Sequence, residues 1–295
     1  MRLVAAGYER ARLRASPSTK RRLRRWLNWF YWSGRRLRRW IAQSRGSTRP
    51  LGKVDGAWLP GDSLPAGALG CVIARNEHGI YCIPRASMHR PVAQTVLQSR
   101  VWEADTLDLI RDTDRDGDIV HAGTFFGDFI PALARSRENG AIVWAFEPGR
   151  ENYRCAQITT MLNDLQNVVL THAGLDSKGG SALLQTSNRE GMPLGGESRI
   201  IINPERARGG TREEVQLEAL DEAVASDRRV AVIQLDVEGH EQQALAGAML
   251  TIERCRPLIV VEALPEPAWV AEELAPFGYE VEGRVDMNFV IRCRR

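Results

Sequence analysis

Apolar residues downstream of residue 118 follow two alternating periods. Short, nearly continuous apolar runs are typical of buried strands, and longer segments with apolar residues at every third or fourth position separate them. The short runs predict strands at 118–122, 141–146, 168–171, 230–235, 258–262, 279–282 and 288–292. The longer segments predict helices at 127–137, 150–163, 239–253 and 267–276. This alternation predicts an α/β fold with a mostly parallel sheet and helices on both faces.

The chain upstream of this alternation has a different pattern. Residues 51–65 are rich in Gly and Pro and predict a linker. Two apolar runs at 69–74 and 80–83 flank a polar turn and predict a short hairpin. Helices are expected to begin near Pro91 and near Asp105. These elements are predicted to lead into the α/β domain.

Residues 1–50 are unusually basic. They contain 15 Lys and Arg residues and one acid, a net charge of +14, whereas the remainder has 25 basic and 36 acidic residues, a net charge of −11. Apolar residues at helical spacing among the arginines predict a basic amphipathic helix: Leu23, Trp26, Leu27, Phe30, Leu37, Trp40 and Ile41. Residues 20–45 would suit an anionic membrane surface, while nucleic acid is a less favoured partner. Packing on the acidic body is an open alternative.

The patterns together predict three parts. They are a basic Arg- and Trp-rich helical arm at 1–50, a linker, hairpin and lead-in helices at 51–117, and the α/β domain at 118–295. Within that domain the interval 178–215 is polar and Gly-rich, and we interpret it as a strand or hairpin plus a long insertion. Long insertions in such folds often act as functional lids.

Cysteine and histidine spacing argues against several classes of protein. The five cysteines are scattered and never spaced as CxxC, which is typical of free thiols in a reducing compartment. The five histidines are also dispersed, so no zinc site is expected. Neither a long apolar run nor a secretory signal is recognisable. We therefore expect a cytoplasmic protein, with the basic arm as a candidate peripheral membrane contact.

A glycine-containing loop follows the first predicted strand of the domain. Gly123 and Gly127 form the pattern GxxxG, and Glu147 follows the next strand. Glycine lets the backbone approach a ligand, and an acid at that strand end can accept hydrogen bonds from both hydroxyls of a ribose. A pyrophosphate needs the middle glycine of GxGxxG, where this chain has Phe125. The features favour an adenosine-containing cofactor without a pyrophosphate, such as S-adenosylmethionine.

Several runs of residues resemble the FkbM family of methyltransferases. The matching runs are DIVHAGTFFGDF at 118–129, AFEPGRENY at 145–153, VIQLDVEGHE at 232–241, AGA at 246–248 and RPLIVVE at 256–262. Similar residues also occur in the lead-in, including Arg90-Pro91 and Trp102-Glu103. The resemblance covers roughly residues 70–265 and rests mainly on the combination of the FEP and LDVEGHE runs.

The resemblance implies a class I methyltransferase, with a Rossmann-like, mostly parallel seven-stranded sheet and S-adenosylmethionine as the methyl donor. Its members usually methylate hydroxyl groups of sugars or natural products. Carried over by position, the donor-binding residues are His121, Ala122, Gly123, Thr124, Phe125, Gly127, Glu147, Pro148 and Asp236. The chain departs from the family at His121, where many members have an acid that helps to organise the donor's amino group.

Four residues near two strand ends are candidate catalytic groups. Asp236 ends the fourth strand and faces the crevice where open α/β sheets bind ligands, and Glu262 ends the neighbouring strand. Glu238 and His240 follow Asp236, and His240 is a candidate general base. Helix capping by Asp236, a favourable dipole contact of Glu238 and a structural role of His240 are the alternatives. Asp236 and Glu262 could also bind Mg²⁺, although the resemblance does not require a metal.

Three functions remain open from the sequence. The favoured one is O-methylation of a saccharide, glycolipid or natural-product acceptor with S-adenosylmethionine. N-methylation of a small molecule or protein is the second, and it is less favoured because no amine-binding NPPY motif is present. The third is a catalytically inactive methyltransferase fold that acts as a membrane- or nucleic-acid-associated binding module.

Overall fold

The computed structural model describes residues 69–113, 116–137, 140–201 and 209–294. The chain divides into two units, Met1–Ser63 and Leu64–Arg295, and all described residues belong to the second unit. The predicted basic arm and the predicted linker at 51–65 lie outside the described residues, so both stay predictions.

Strands and short helices alternate along the described chain. The strands are β1 (Cys71–Asn76), β2 (Gly79–Pro84), β3 (Asp118–Ala122), β4 (Val143–Phe146), β5 (Val168–Thr171), β6 (Gly174–Leu175), β7 (Gly180–Gln185), β8 (Arg199–Ile200), β9 (Arg212–Glu218), β10 (Val230–Leu235), β11 (Leu258–Val261), β12 (Tyr279–Val285) and β13 (Asn288–Cys293). The helices are α1 (Pro91–Leu97), α2 (Ala104–Arg111), α3 (Ile130–Arg135), α4 (Arg150–Leu162), α5 (Leu220–Ala223), α6 (Glu241–Ala246), α7 (Met249–Cys255) and α8 (Pro267–Trp269).

A seven-stranded sheet forms the centre, with the strand order β12-β13-β11-β10-β3-β4-β5. The five strands from β11 to β5 run parallel to their neighbours. The last two, β12 and β13, form an antiparallel hairpin that is added to β11. This confirms the mostly parallel seven-stranded sheet that the pattern and the resemblance predict.

The central strands are buried on both faces. Val120 of β3 and Leu235 of β10 belong to a core that α6 and α7 help to form. Ile119 of β3 and Val232 of β10 belong to a second core, to which α2 and α3 contribute. Successive side chains of a strand point to opposite faces, so both faces must be covered, which explains why these strands are continuous apolar runs. The prediction of helices on both faces is confirmed.

The predicted single helix at 239–253 is wrong. The chain forms two short helices there, α6 and α7, which break at Gly247 and Ala248. A Cβ atom at Gly247 would lie 2.0 Å from the carbonyl oxygen of Asp176, so the backbone after β6 passes directly over this point. Asp221 then supplies a new helix start, because its carboxylate accepts hydrogen bonds from the amides of Leu250 and Thr251, each at 2.8 Å.

Two other predicted helices differ in their ends and type. The helix expected at 127–137 begins only at Ile130, because the preceding residues form the turns of the glycine loop. The helix expected at 267–276 starts as α8 and continues as a π turn at Val270–Leu274 and a 3-10 turn at Ala275–Phe277. The positions of both elements were predictable from apolar spacing, whereas their boundaries were not.

A second sheet occupies the polar interval that was interpreted as a strand or hairpin plus an insertion. Its order is β6-β9-β7-β8, and β7 pairs antiparallel with β9 from Gly180↔Leu217 to Gln185↔Arg212. The hairpin part of that interpretation is therefore confirmed, and the role of the insertion as a lid stays a prediction.

The hairpin of β1 and β2 forms at the predicted place and packs on α4. Asn163, just after α4, donates a hydrogen bond to the carbonyl of Ile80 and accepts one from its amide at 3.0 Å. The hairpin is thereby tied to the helix that follows Glu147. Among the helices of the described chain, none combines the length and the apolar character that crossing a membrane would need.

Candidate active site

The loop after β3 is shaped by one very close backbone approach. Gly123 has a φ of +80°, and a Cβ atom there would lie 1.7 Å from the carbonyl oxygen of Asp236. Only glycine fits such a contact. The amide of Gly123 donates to the carbonyl of Phe146 at 3.0 Å, and Gly127 closes the next turn by donating to Thr124 at 2.7 Å. Residues 123–129, called the donor loop below, thus lie between β4 and the end of β10.

Glu147, directly after β4, holds the donor loop in place by hydrogen bonding. Its carboxylate accepts hydrogen bonds from the amides of Phe125 and Gly149, each at 2.8 Å, and from the Asn152 side chain at 3.3 Å. Burial raises the pKa of Glu147 to about 7, although these hydrogen bonds oppose the rise. The carboxylate oxygens offer about four lone-pair positions, so acceptor capacity is left for a ligand.

A cleft opens where β3, β4 and β10 end. One side consists of donor-loop and strand-end residues, namely Ala122, Gly123, Phe146, Glu147, Pro148, Asp236 and Val237. The other side comes from the second sheet and its loops, namely Gly174, Leu175, Leu184, Gly195, Gly196, Ser198 and Ile200. Five of the predicted donor-binding residues, Ala122, Gly123, Glu147, Pro148 and Asp236, therefore line one cleft.

The turn Gly195–Glu197 is held against the donor loop from three sides. The Asn152 side chain donates to the carbonyl of the first glycine at 3.2 Å. Arg90 forms an ion pair with the carboxylate of the last residue. The Phe125 ring lies so close that a Cβ atom on the first glycine would be 3.1 Å from it. The insertion thus reaches the predicted cofactor site.

The side chains of the other predicted donor residues have different surroundings. His121 is buried, stacks on Phe129 with ring centres 5.7 Å apart, and hydrogen-bonds Gln234 through Nδ1. Burial lowers the pKa of His121 to about 4, so the ring is neutral at ordinary pH. Phe125 packs against Phe126, and Thr124 is fully buried. These residues shape the loop from behind, and Phe125 takes part through its backbone amide.

Three carboxylates meet at the ends of β10 and β11. Ligand oxygens of Asp236, Glu238 and Glu262 all lie within 4.8 Å of one another. Burial, and then the charge of Glu262, raise the pKa of Asp236 well above its ordinary value. Burial, followed by the charges of Glu262 and Glu241, raises the pKa of Glu238 to about 7. Glu238 is therefore suited to hold and release a proton near neutral pH.

Glu103 adjoins the carboxylate cluster, and Asp128 lies close enough to Glu103 to act on its charge. Burial raises the pKa of Glu103 to about 7, although a hydrogen bond from Asn288 at 2.6 Å opposes the rise. Burial likewise raises the pKa of Asp128, in the donor loop, to about 7. Glu103, Phe125 and Glu238 have φ values of 44°, 50° and 56°, which residues other than glycine rarely adopt. Such backbone strain is concentrated at functional sites.

His240 is oriented differently from the three carboxylates. Its Nε2 atom lies 2.7 Å from the carboxylate of Asp176, which follows β6. The ring is buried, and its Nδ1 atom has no hydrogen-bond partner within the described part of the chain. The pair joins α6 to the second sheet, so the contact supports the structural alternative for His240. Its role as a general base stays a prediction.

The carboxylate cluster has the hard oxygen ligands that Mg²⁺ or Ca²⁺ prefers. Exposed acid groups are common without an ion, and burial, followed by the charge of Glu262, raises the pKa values of Asp236 and Glu238 and so favours proton binding there. The cluster could hold either a metal ion or shared protons.

Comparison with known proteins identifies the family. The model described as the methyltransferase FkbM domain matches residues 120–280, which is more than half of the 295-residue chain. The chain belongs to the FkbM methyltransferase family. The matched range includes the donor loop, Glu147 and Asp236, and it ends within β12. The family assignment that the sequence runs predicted is confirmed.

Solved structures add similarities at low identity to this FkbM-family chain. The FkbM methyltransferase from Methylobacillus flagellatus KT is 16% identical with a TM-score of 0.40, and the match covers 60% of this chain and 43% of that chain. A 16S rRNA methyltransferase from T. thermophilus, in complex with AdoMet and guanosine, has 15% identity, a TM-score of 0.41 and coverages of 79% and 52%. A methyltransferase from Geobacter sulfurreducens has 14% identity, a TM-score of 0.38 and coverages of 67% and 83%.

The FkbM-family chain therefore spans less than half the length of the first of these structures. No curated protein matches the chain.

Sequence reasoning missed several residues of the site in this family member. Asn152 and Glu103 lie in runs that resemble the family, so the runs contained a signal for them. Arg90 and Glu103 were noted without a role, and the structure places both at the site. The turn Gly195–Glu197 carried no signal, because its place depends on the pairing of β7 with β9.

Proposed function

We propose that this FkbM-family protein transfers a methyl group from S-adenosylmethionine to a hydroxyl group of a saccharide, glycolipid or natural-product acceptor. The observation that carries the proposal is the contact between two features. The donor loop is hydrogen-bonded to Glu147, and its Gly123 touches the backbone of Asp236, which belongs to the carboxylate cluster. A donor site and a proton-accepting site thus adjoin at the same strand ends.

The residues around Glu147 fit a nucleoside methyl donor. Free acceptor positions on the Glu147 carboxylate can receive ribose hydroxyls, and Gly123, Pro148 and Asp236 line the same cleft as Glu147. When bound, S-adenosylmethionine supplies an electrophilic methyl group on a sulfonium cation. Phe125 at the centre of the loop disfavours a pyrophosphate, which supports this donor over a dinucleotide.

The carboxylate cluster accounts for the acceptor side of the reaction. A hydroxyl group must lose a proton as it attacks, and a general base works best when its pKa is near the working pH. Burial and neighbouring acids raise the pKa of Glu238 to about 7, and the backbone of Asp236 makes the contact with Gly123. We assign the proton transfer to Glu238 and the orientation of the acceptor to Asp236 and Glu262.

N-methylation is the second candidate, because the same acids would attract an ammonium group. An amine acceptor must be neutral to attack, and a cluster of carboxylates raises the pKa of a bound ammonium group. This disfavours amines near neutral pH. The two candidates are separated by methyl transfer to paired acceptors that differ only in a hydroxyl or an amino group.

Mg²⁺ is not required by this proposal, since carboxylates rather than a metal-bound group take up the proton. We expect protein that has been treated with a chelator and then freed from it to keep full turnover. If turnover were lost and only Mg²⁺ restored it, the carboxylate cluster would be assigned to metal binding instead of proton transfer.

The test is a calorimetric titration of the full chain with S-adenosylhomocysteine. We expect micromolar binding that Glu147→Ala weakens about ten-fold or more, which corresponds to about 1.5–3 kcal/mol of charge-assisted hydrogen bonding. Glu190→Ala, which removes an exposed acid, is the matched control and should bind as the native chain does. Absence of binding in a folded native chain would favour the inactive binding module over the enzyme.

A further inference from the structure

Three cysteines from separate elements meet behind the donor loop. Cys82 of β2 and Cys155 of α4 are fully buried, and their sulfur atoms are 3.8 Å apart. The thiol of Cys71, on β1, also lies close enough to Cys82 to affect its ionisation, and Cys71 is partly exposed. The middle thiol therefore has a neighbour on each side, and one of these neighbours reaches the solvent.

The thiols are coupled to the donor loop by a short chain of contacts. The amide of Cys82 donates to the hydroxyl of Thr159 at 3.0 Å, and that hydroxyl donates to the carbonyl of Phe126 at 2.8 Å. Cys82 and Cys155 also share a buried cluster with the rings of Phe125 and Phe126. A change in the distance between β2 and α4 therefore acts on the loop from behind.

We propose that Cys82 and Cys155 form an oxidation site, at which a hydroperoxide converts the two thiols into a disulfide behind the donor loop. The 3.8 Å separation must shorten to about 2.0 Å, the length of a disulfide bond. Both partners sit on well-packed elements that are already in contact, so the movement required is smaller than the length of one side chain. Cys71 marks the side from which a small oxidant approaches.

The chemistry balances in two steps. The thiolate of Cys82 attacks a peroxide oxygen, the O–O bond breaks, and Cys82 becomes a sulfenic acid. The departing oxygen takes up the proton that the Cys82 thiol had released and leaves as water or an alcohol. The thiol of Cys155 then attacks the sulfur of the sulfenic acid, the S–O bond breaks, and one water molecule leaves as the S–S bond forms. Each step uses only the two cysteines and the hydroperoxide.

The electrostatic environment supports Cys82 as the attacking group. Hydrogen bonding from Cys155, and also from Cys71, lowers the pKa of Cys82 to about 7 against the effect of burial. Hydrogen bonding to Cys82 and burial raise the pKa of Cys155, and burial raises that of Cys71 to about 11. Thiolate character is thereby concentrated on the central sulfur, and thiolates are the reactive species.

The test is oxidation of the full native chain with hydrogen peroxide, followed by alkylation of the remaining thiols and peptide mapping without reduction. We expect a peptide pair linked through Cys82 and Cys155, with Cys255 and Cys293 still alkylated as internal controls. Cys155→Ser should leave Cys82 as a sulfenic acid that a dimedone probe traps, and Cys71→Ser should still form the linked pair.

Thermal melting of each variant shows whether it folds, and the alanine variant at the same position, Cys155→Ala or Cys71→Ala, replaces a serine variant that does not. We also expect S-adenosylhomocysteine affinity to change at least three-fold on oxidation of the native chain and not of Cys155→Ser. The proposal is wrong if peroxide leaves Cys82 and Cys155 no more oxidised than Cys255 and Cys293. Because the linked peptides are detected by mass, this outcome is independent of whether the chain binds a methyl donor.

Discussion

At several positions of the site, the backbone geometry, rather than side-chain chemistry, limits which residue the position can hold without strain. Gly123 has no side chain because the carbonyl of Asp236 occupies that space. Glu103, Phe125 and Glu238 retain side chains in a left-handed conformation that costs about 1 kcal/mol or more each. The surrounding structure must hold these three residues in place.

Gly123→Ala, compared with a control, separates the steric clash with the Asp236 carbonyl from the cost of a side chain at positive φ. Gly191 has the same φ of +80° but nothing within 4 Å of its added Cβ atom, so Gly191→Ala is a matched control. We expect the control to lose about 1 kcal/mol of stability and Gly123→Ala to lose about 2 kcal/mol or more. Urea unfolding measures both. If the two variants lost the same free energy of unfolding, the backbone near Asp236 would have to move away from the new Cβ atom at no energetic cost.

The pH dependence of stability reports on Glu103. Burial raises its folded pKa to about 7 from 4.5, so the folded state binds the proton more tightly than the unfolded chain. The associated stability is fully present below about pH 4.5 and is lost as the pH rises through about 7. We expect Glu103→Gln to reduce the loss between pH 5 and 7.5 by about 1–3 kcal/mol.

Chemical denaturation at the two pH values measures this difference. Glu272→Gln, at an exposed position, is the control and should keep the native pH dependence. An unchanged dependence in Glu103→Gln would show that other acids of the site account for it.

At the scale of elements, α4 links three parts of the site. Its first turn carries Asn152, which donates both to Glu147 and to the carbonyl of Gly195. Its middle carries Cys155 and Thr159, which contact β2. The helix α4 therefore contacts the hairpin, Glu147 and the insertion, and it fixes their positions relative to one another.

Asn152→Ala tests this linking role. The substitution removes hydrogen bonds worth about 1–2 kcal/mol, so S-adenosylhomocysteine should bind about 5–30-fold more weakly. Gln157→Ala removes an exposed amide from the same helix and should leave the affinity unchanged. If Asn152→Ala and Gln157→Ala have the same melting temperature and the same affinity for S-adenosylhomocysteine, then the position of the turn at Gly195 does not depend on Asn152.

The pattern of apolar residues predicted the central elements well because those strands are buried on both faces. It placed β3 and β10 with their observed bounds. It failed at Gly247, where a backbone crossing from a distant segment breaks a helix that local spacing favours. GxxxG and Glu147 indicated the cleft from local sequence, whereas the place of the Gly195–Glu197 turn follows from long-range strand pairing.

At the scale of the whole molecule, charge is distributed very unevenly along the sequence. Residues 1–50 carry a net charge of +14 and the remainder −11. The proposal that residues 20–45 bind an anionic membrane surface rests on this segregation and on the apolar residues at helical spacing. The described part of the chain contributes the acidic half of this charge pattern.

Deletion of residues 1–48 tests the role of the arm. We expect the full chain to co-sediment with phosphatidylserine vesicles in low salt and to dissociate as salt rises, and the shortened chain not to bind. Turnover on a soluble acceptor should be equal in the two proteins. Vesicle binding by the shortened chain would place the contact in the acidic body, and tight binding of duplex DNA with a steep salt dependence would favour nucleic acid.

The wall that the insertion contributes has a consequence for engineering within the family. Gly195, Gly196 and Ser198 line the same cleft as Glu147, and Asn152 hydrogen-bonds both walls. A chimera that exchanges residues 178–215 with those of another member also replaces one wall of the cleft in which we propose that the donor binds. We expect such a chimera to bind the proposed donor more weakly unless it retains partners for Asn152 and Arg90.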